Sequence, residues 1–335
     1  ESTQINGETH YIVTIEGLNI VDLGNDVEIC LTDGEVYSQT VTYGAESFAA
    51  RTKEDESLGA LVVAMMKYIR SAGEYFDPKA YQREDDLIYF GEYPQTLVED
   101  EALIDVLGEQ TAVWQSYSYY AGGEISDYMQ YADVEYDGER YRGVKFTQYR
   151  MDTTTYSTTT WQDDNGYDTG TVYWFRYEPI RWRILSEENG TAVLVCDTVL
   201  DGREFNANVT DGNDYAESDI RAWLNNVFYE TAFDAEGREI IEITDADGIG
   251  DKVCLMDETT ANDGGFFADA AARRKSASDY AACQGVKTDD GYASWMLGTG
   301  ESAANVYYVY CTGELYFQPV NYTNMGICPM ITIVL

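Results

Sequence analysis

Short stretches of alternating apolar and polar residues, separated by turn residues, recur along this chain and constrain its fold more than any other feature. Val27, Ile29 and Leu31, for instance, fall on one face of an extended segment, and the dipeptide Asp33-Gly34 that follows is typical of a hairpin turn. Asp137-Gly138 and Asn189-Gly190 predict two further tight turns between strands. The sequence shows no internal repeat and no regular alternation of strands with helices. It therefore predicts an α+β fold rather than a doubly wound parallel sheet.

Two longer segments place apolar residues three and four positions apart, which is the spacing of a helix that buries one face. The first spans 55–76, and its apolar stripe is predicted to be core: Leu58, Leu61, Val62, Met65, Ile69, Ala72 and Phe76. The second spans 218–233 with Ser218 as its N-cap, and its predicted buried face is Ile220, Trp223, Leu224, Val227 and Phe228. A polar linker that contains Pro78 follows the first helix. We therefore expect a β-rich module over residues 1–80, closed by this helix, and a larger domain over 81–335.

The charge of the chain limits its partners. Lys and Arg number 21 against 60 Asp and Glu, which gives a net charge of −39. Because phosphate binding needs clustered basic residues, nucleic acid is not expected as a partner. Solubility alone explains such acidity, although calcium or a cationic partner would also suit it. A hydrophobic content of 44% indicates a folded chain, and no apolar run reaches the length of about 20 residues that a membrane span needs.

The scarcity of histidine and the scatter of cysteine exclude several kinds of active site. His10 is the single histidine, so multi-histidine metal sites are excluded and a catalytic triad would have to use a residue at the start of a strand. The six cysteines form no Cys-x-x-Cys pair, which fits neither a zinc site nor a dense disulfide framework. Cys196 and Cys254 are predicted to be buried in strands, and Cys311 and Cys328 are the pair expected to meet across adjacent strands.

One acidic loop resembles a calcium-binding loop. Asp245, Asp247 and Asp251 surround two glycines at a spacing that suits oxygen ligands. Met256 stands where the twelfth position of an EF-hand loop needs a bidentate glutamate, so an acidic surface turn is the simpler interpretation. A similar oxygen-rich loop spans 161–170. We predict no cofactor, with calcium as the alternative that these aspartates leave open.

The C-terminal segment 305–334 is rich in tyrosine. Its strand pattern predicts an apolar framework of Val306, Val309, Leu315, Phe317 and Ile327, with Tyr308, Tyr310, Tyr316 and Gln318 on the opposite side. The tyrosines could simply pack within a two-sided sheet. They could also form a binding surface, because tyrosine offers a large, rigid contact area at low entropic cost and neighbouring Ser, Gly and Asn add adaptable hydrogen bonds.

Six segments occur in the order found in a bacterial surface domain of unknown function. They are YFGEYPQT, YEPIRWRIL, SDIRAWLNNVFYETAF, DKVCLM, SDYAACQG and GICPMI, all within residues 85–335. The domain that this part resembles is similar to the C-type-lectin-like fold, in the lineage of formylglycine-generating enzymes and of variable proteins diversified by retroelements. Residues 1–80 separately resemble a β-rich module of multidomain bacterial surface proteins.

The resemblance implies a secreted or surface-displayed bacterial protein that binds a protein or glycan ligand through its C-terminal segment, which varies in the retroelement-diversified proteins. The ligand-binding residues predicted from it are Trp295, Met296, Thr299, Tyr307, Tyr308, Tyr310, Tyr316, Gln318, Tyr322 and Asn324. The chain begins at Glu1 rather than Met, so we expect a processed or trimmed chain. No catalytic residue is predicted.

Two alternatives stay open beside ligand binding. The formylglycine-generating relatives imply an oxygen-dependent enzyme in which two cysteines bind copper, and Cys311 and Cys328 would be those cysteines here. The other alternative is a structural stalk domain whose tyrosines only pack. The sequence departs from the family pattern at Gly298 and Cys328, where arginine is common, and this argues against any activity that needs those arginines.

Overall fold

The computed structural model describes residues 2–5, 8–11, 27–29, 41–44, 59–76, 80–117, 129–150, 161–244 and 250–335. The chain divides into two compact units, Glu1–Lys79 and Ala80–Leu335. This division falls one residue before the boundary expected from the polar linker. Helices and antiparallel strands are mixed within the larger unit, and the predicted α+β class is therefore confirmed.

The described residues of the first unit form two strand pairs and a helix. Its strands are β1 (Ser2–Ile5), β2 (Glu8–Tyr11), β3 (Val27–Ile29) and β4 (Val41–Tyr43). β1 pairs with β2 and β3 pairs with β4, in both cases antiparallel. The helix spans Gly59–Phe76.

The apolar stripe of that helix is only partly buried. Val62 is buried, but Leu61 and Met65 are exposed, so their assignment to a core is wrong. Apolar spacing defines a face of a helix without showing that another element covers it. The rest of the prediction, namely Asp33-Gly34, Leu58 and the side chains of Ile69, Ala72 and Phe76, lies outside the described part of the chain.

The second unit is built on two larger sheets and one short strand pair. The ten-stranded sheet consists of β5 (Gln82–Glu84), β6 (Leu87–Leu97), β7 (Gln115–Ser116), β8 (Met129–Tyr136), β9 (Glu139–Phe146), β10 (Val172–Glu188), β11 (Thr191–Cys196), β13 (Ile241–Glu242), β14 (Val253–Leu255) and β21 (Pro329–Val334). The five-stranded sheet consists of β12 (Asp201–Gly202), β17 (Trp295–Ser302), β18 (Asn305–Val309), β19 (Leu315–Pro319) and β20 (Gly326–Ile327). β15 (Thr288–Asp289) and β16 (Tyr292–Ala293) form the short pair.

The order of the strands places β10 and β17 inside their sheets. The ten-stranded sheet runs β13-β21-β11-β10-β9-β8-β7, with β14 also paired to β21 and β6 linking β10 to β5. The five-stranded sheet runs β12-β20-β17-β18-β19, and only β17 and β20 are parallel within it. β19 is consequently an edge strand of this sheet.

Two tight turns predicted from the sequence are present as predicted. Asp137 and Gly138 join β8 to β9 with φ angles of 52° and 80°, and Asn189 and Gly190 join β10 to β11 with 52° and 81°. Positive φ at both central residues is the requirement of the two-residue turn that matches strand twist. These turns fix the registers of the two hairpins, and Trp182 on β10 belongs to the core with no exposed surface.

The helices of the second unit are short and lie beside the sheets. They span Glu101–Glu109, Trp161–Asp164, Asp219–Trp223, Tyr229–Ala232, Ala235–Ile240, Glu258–Ala261 and Asp279–Cys283, with 3₁₀ turns at Val209–Asp211, Tyr215–Glu217 and Ala271–Arg273. A π-helical turn, Leu224–Phe228, connects the third and fourth of them. No helix within the described residues is both long and apolar enough to cross a membrane.

The π-helical turn corrects one predicted core position. Ser218 caps the helix as expected, because its Oγ accepts the Arg221 backbone N–H at 3.3 Å. The wider turn adds a residue to the repeat, and Val227 is exposed rather than buried. Asn225 points inward instead, where its amide binds the Val253 carbonyl at 2.8 Å.

Candidate binding surface

The ten residues predicted to bind a ligand lie on β17, β18 and β19 or in the adjoining turns, but they do not form one exposed surface. Tyr316 is exposed, and the half-buried members are Thr299, Tyr307, Tyr310, Gln318 and Tyr322. The buried members are Trp295, Met296, Tyr308 and Asn324, and their expected exposure is wrong. Residues 295–297 are consecutive and all buried, so both faces of β17 are covered at that point.

The hairpin of β18 and β19 is anchored to the core through its turn. Tyr310 N–H donates to the Glu314 carbonyl at 2.8 Å, and Gly313 N–H donates to the Tyr310 carbonyl at 2.7 Å. Gly313 has φ of 87°, which favours glycine. Arg273 Nε donates to the Gly313 carbonyl at 2.8 Å, and its own carbonyl accepts from Trp295 Nε1 at 3.2 Å. The buried Trp295 thus supports the hairpin from beneath.

Three tyrosines on this hairpin form an aromatic group, called here the tyrosine cluster: Tyr308, Tyr310 and Tyr316. Their ring centroids are 5.8 to 6.4 Å apart, and Tyr310 meets both of the others nearly edge-on. Such edge-to-face contacts hold the rings in fixed orientations. Gln318 Nε2 donates to the Tyr308 hydroxyl at 3.4 Å. The cluster therefore presents a pre-arranged aromatic surface that is most open at Tyr316.

A lysine that the sequence interpretation missed lies against the cluster. Lys287 Nζ is 4.8 Å from the centroid of the Tyr310 ring and 5.0 Å from that of the Trp161 ring. Burial lowers the pKa of Lys287, but a hydrogen bond with Tyr310 raises it, as does the proximity of Tyr322. The net effect is a pKa above the ordinary value of lysine. The cation is therefore retained beside the rings, whose faces attract it.

β19 exposes side chains on both of its faces. Tyr316 is 51% exposed on one face, and Phe317, which was predicted to anchor the framework, is 53% exposed on the other. The assignment of Phe317 to the framework is wrong because an edge strand has fewer neighbours than an interior one. Val306, Val309 and Ile327 are buried as predicted.

A second polar group lies in the interior and was not predicted. Arg150 and Glu204 form an ion pair at 2.7 Å, with each side chain 2% exposed. Asp201 accepts from the hydroxyls of Tyr93 at 2.6 Å and Tyr117 at 3.1 Å, and burial raises the pKa of both hydroxyls. With so little exposed surface, these groups have no face for a ligand, and we interpret them as structural. In the sequence, the charged residues that lie between apolar ones in the stretch 199–205 could have indicated this buried polar group.

The two cysteines implied as a copper pair have different neighbours. Both thiols are free. Cys328 Sγ donates to the Cys196 carbonyl at 2.9 Å, whereas Cys311 Sγ lies 3.9 Å from an Asp289 carboxylate oxygen. The same Cys196 carbonyl accepts from Lys275 Nζ at 2.7 Å. The expected disulfide or copper pairing of Cys311 with Cys328 thus gains no support, while the predicted burial of Cys196 is confirmed, as is that of Cys254.

The buried Cys328 thiol makes stability depend on pH in the alkaline range. Burial raises its pKa to about 11, whereas a thiol in an unfolded chain titrates near pH 8.5. The folded state therefore holds this proton more tightly, and the stabilisation is complete below about pH 8.5 and lost as the pH rises through the folded value. Between about pH 8.5 and about pH 11, we expect the free energy of unfolding to fall by about 3 kcal/mol from this group alone.

Chemical denaturation at closely spaced pH values measures the effect. Cys328→Ala should reduce the pH dependence without abolishing it, because burial also raises the pKa of the Cys196 and Cys283 thiols. Comparison at pH 7 separates the loss of packing from the loss of the proton. Equal slopes in the variant and the parent would contradict the assignment to Cys328.

The acidic loops provide no assembled calcium site among the described residues. Asp251 is bound to the Arg221 guanidinium at 2.7 Å, which occupies the carboxylate, and Asp245 and Asp247 lie outside the described part of the chain. In the 161–170 loop the Asn165 amide donates to backbone carbonyls of 282 and 286. Over the part of the chain that the structure describes, no group of three or more acidic, cysteine or histidine side chains is placed to hold a metal ion.

Comparison with known proteins gives one family match. A family model described as a domain of unknown function (DUF6273) matches residues 189–335, which is less than half of the chain. The matched segment includes β17, β18 and β19, and with them the tyrosine cluster and Lys287. Neither the curated proteins nor the solved structures contain a match to this chain.

Proposed function

We propose that this chain is a ligand-binding protein of the adhesion or receptor type, and that the ligand contacts the outer part of the β18–β19 hairpin. The contacted side chains are Tyr310, Tyr316, Gln318, Tyr322 and Lys287, together with Phe317 on the opposite face of the edge strand β19. One observation carries the proposal: Tyr316 and Phe317 are the two most exposed aromatic side chains in the described part of residues 80–335, and they are adjacent.

The chemistry of these side chains suits recognition more than catalysis. Aromatic anchors dominate the energy of many interfaces because they bury much apolar area and lose few rotamers. A lone aromatic on a surface is common, but here a rigid cluster and a held cation stand beside the exposed pair. Ordering a ligand against such a pre-arranged surface costs less entropy than against mobile side chains.

The proposal also includes the finer expectations from the family resemblance. These are a C-type-lectin-like fold for residues 81–335, display at the cell surface or secretion, and variation of the C-terminal segment by a retroelement. The sheets and short helices of the second unit are compatible with the fold. Variation is tested in the genome, where a reverse transcriptase and a near-copy of the coding segment for 294–330, differing at adenines, should lie nearby.

Single substitutions on β19 test the binding surface directly. Tyr316→Ser and Phe317→Ser should each weaken binding by tenfold or more, because a central aromatic contact contributes about 2 kcal/mol or more. The full chain is screened on arrays of glycans and of purified extracellular proteins, and the affinity of each hit is then measured for the variants. Tyr136→Ser is the matched control, since Tyr136 is a 39% exposed tyrosine in the other sheet.

The stability of the three variants should stay close to that of the parent, so a loss of binding reflects lost contacts. A ligand whose affinity falls as much for Tyr136→Ser as for the β19 variants would place the binding surface elsewhere. Ligands that bind all three variants as tightly as the parent would leave the hairpin as a structural element only.

A further inference from the structure

β19 has an open main-chain edge. It hydrogen-bonds only to β18 within the described residues. Tyr310 and Glu314 form a hydrogen-bonded pair at the turn, and such pairs alternate along an antiparallel ladder. The main-chain N–H and carbonyl groups of Tyr316 and Gln318 therefore face β18, whereas those of Leu315 and Phe317 point away from the sheet.

The other edge strands of the two large sheets are protected in ways that β19 is not. β5 is fully exposed, but it carries charges, and its Arg83 forms an ion pair with Glu187 at 2.9 Å. β7, β12 and β13 are only two residues long, and all three residues of β14 are buried. Charges and short length are the usual protection of an edge against pairing with another chain. β19 spans five uncharged residues, LYFQP, and only its last, Pro319, lacks an N–H group.

The side chains of β19 suit an added strand. A peptide that pairs with the edge would place alternate side chains over Tyr316 on one face and over Phe317 on the other. Both rings are more than half exposed, so an added strand would bury much of the apolar surface of each ring. Cross-strand pairs of aromatic with β-branched residues are among the favourable ones.

The net charge of the chain indicates which kind of partner would pair with β19. A second copy of this chain could also pair through β19, but each copy carries a net charge of −39 and the two would repel. Glu314, exposed immediately before β19, has the same sign. A basic segment would instead be attracted. We infer that β19 binds an extended basic segment of a partner protein as an additional antiparallel or parallel strand, an inference that rests on the proposed function and names the class of ligand.

A defined probe tests the pairing. The probe is a capped octapeptide of alternating lysine and valine, titrated into the full-length, isotope-labelled chain at low salt. At saturation the exchange of the Leu315 and Phe317 amide hydrogens should slow by tenfold or more, while that of Tyr316, already bonded to β18, should change less than twofold. The same peptide N-methylated at every residue keeps its side-chain charges but has no N–H group left to donate on either edge, and it should bind at least tenfold more weakly.

The outcomes separate main-chain pairing from other causes. Equal binding of the methylated and unmethylated peptides, or no binding of either at millimolar concentration, would overturn the inference. Binding of a glutamate–valine octapeptide as tight as that of the lysine–valine peptide would overturn the choice of a basic partner. Concentration-dependent dimerisation that protects the same two amides would identify a second copy as the occupant and would likewise overturn it.

The proposed function can survive a failure of this inference. If an array ligand still depends on Tyr316 and Phe317 while no peptide protects the β19 amides, the aromatic surface binds its ligand without strand addition. If neither depends on β19, both fail together.

Discussion

Replacing Glu204 with glutamine is expected to lower the free energy of unfolding by about 3–5 kcal/mol, because it removes the opposite charge from a buried guanidinium. Glu204 and Arg150 lie 2.7 Å apart, and each side chain is 2% exposed. In so dry a position the charge that remains cannot regain the hydration it had in the unfolded chain. The loss is therefore mainly the cost of an uncompensated charge, and not the net value of the pair.

Equilibrium unfolding in urea, followed by tryptophan fluorescence, measures the loss. Glu187→Gln is the matched control, because Glu187 pairs with Arg83 at 2.9 Å while both side chains are about two-fifths exposed, and its loss should stay below about 1 kcal/mol. Replacing both partners, with Arg150→Met and Glu204→Leu, should recover much of the stability. A loss for Glu204→Gln as small as that of the control would mean that water reaches the pair.

Trp295→Ala is expected to destabilise the second unit by about 3–5 kcal/mol, since it removes a large side chain that is fully buried and leaves a cavity. Trp295 has no exposed surface, and its indole N–H reaches the Arg273 carbonyl under the β18–β19 turn. The hairpin would lose its support together with the core. Ligand binding should therefore fall in proportion to the unfolded fraction.

Tyr316→Ala separates the two roles that were combined in the sequence prediction. It should leave the melting temperature within about 2 °C, as expected for a surface substitution, and still weaken ligand binding. Calorimetry measures the first effect and titration of an array ligand the second. Should Trp295→Ala abolish binding at unchanged stability, Trp295 would be a contact residue after all.

The sequence predicted best those features that depend on nearby residues. The Asp137-Gly138 and Asn189-Gly190 turns, the Ser218 cap and the buried Ile220, Trp223, Leu224 and Phe228 are all confirmed. Each follows from backbone preferences or side-chain spacing within one segment. Val227 was misplaced because the π-helical turn depends on the contact of Asn225 with Val253, 28 positions away.

The site was harder to predict because it depends on which strand lies at an edge. Alternation in β17 and β19 looks alike in the sequence, yet β17 is covered on both faces and β19 on neither. The order β12-β20-β17-β18-β19 is set by contacts between distant residues, and periodicity carries no information on it. The approach of Lys287 to Trp161 has the same origin.

The position of β21 bears on how and when this chain folds. β21 is the last strand in the sequence, yet it lies inside the ten-stranded sheet, between β11 on one side and β13 and β14 on the other. Val195 pairs with Met330, which lies much further along the chain. Closing the long intervening loop costs entropy before packing within the sheet stabilises the contact. During synthesis β11 has to wait for a partner made much later, with its apolar residues open to other chains. Slow folding and reliance on chaperones are the expected consequences of this strand order.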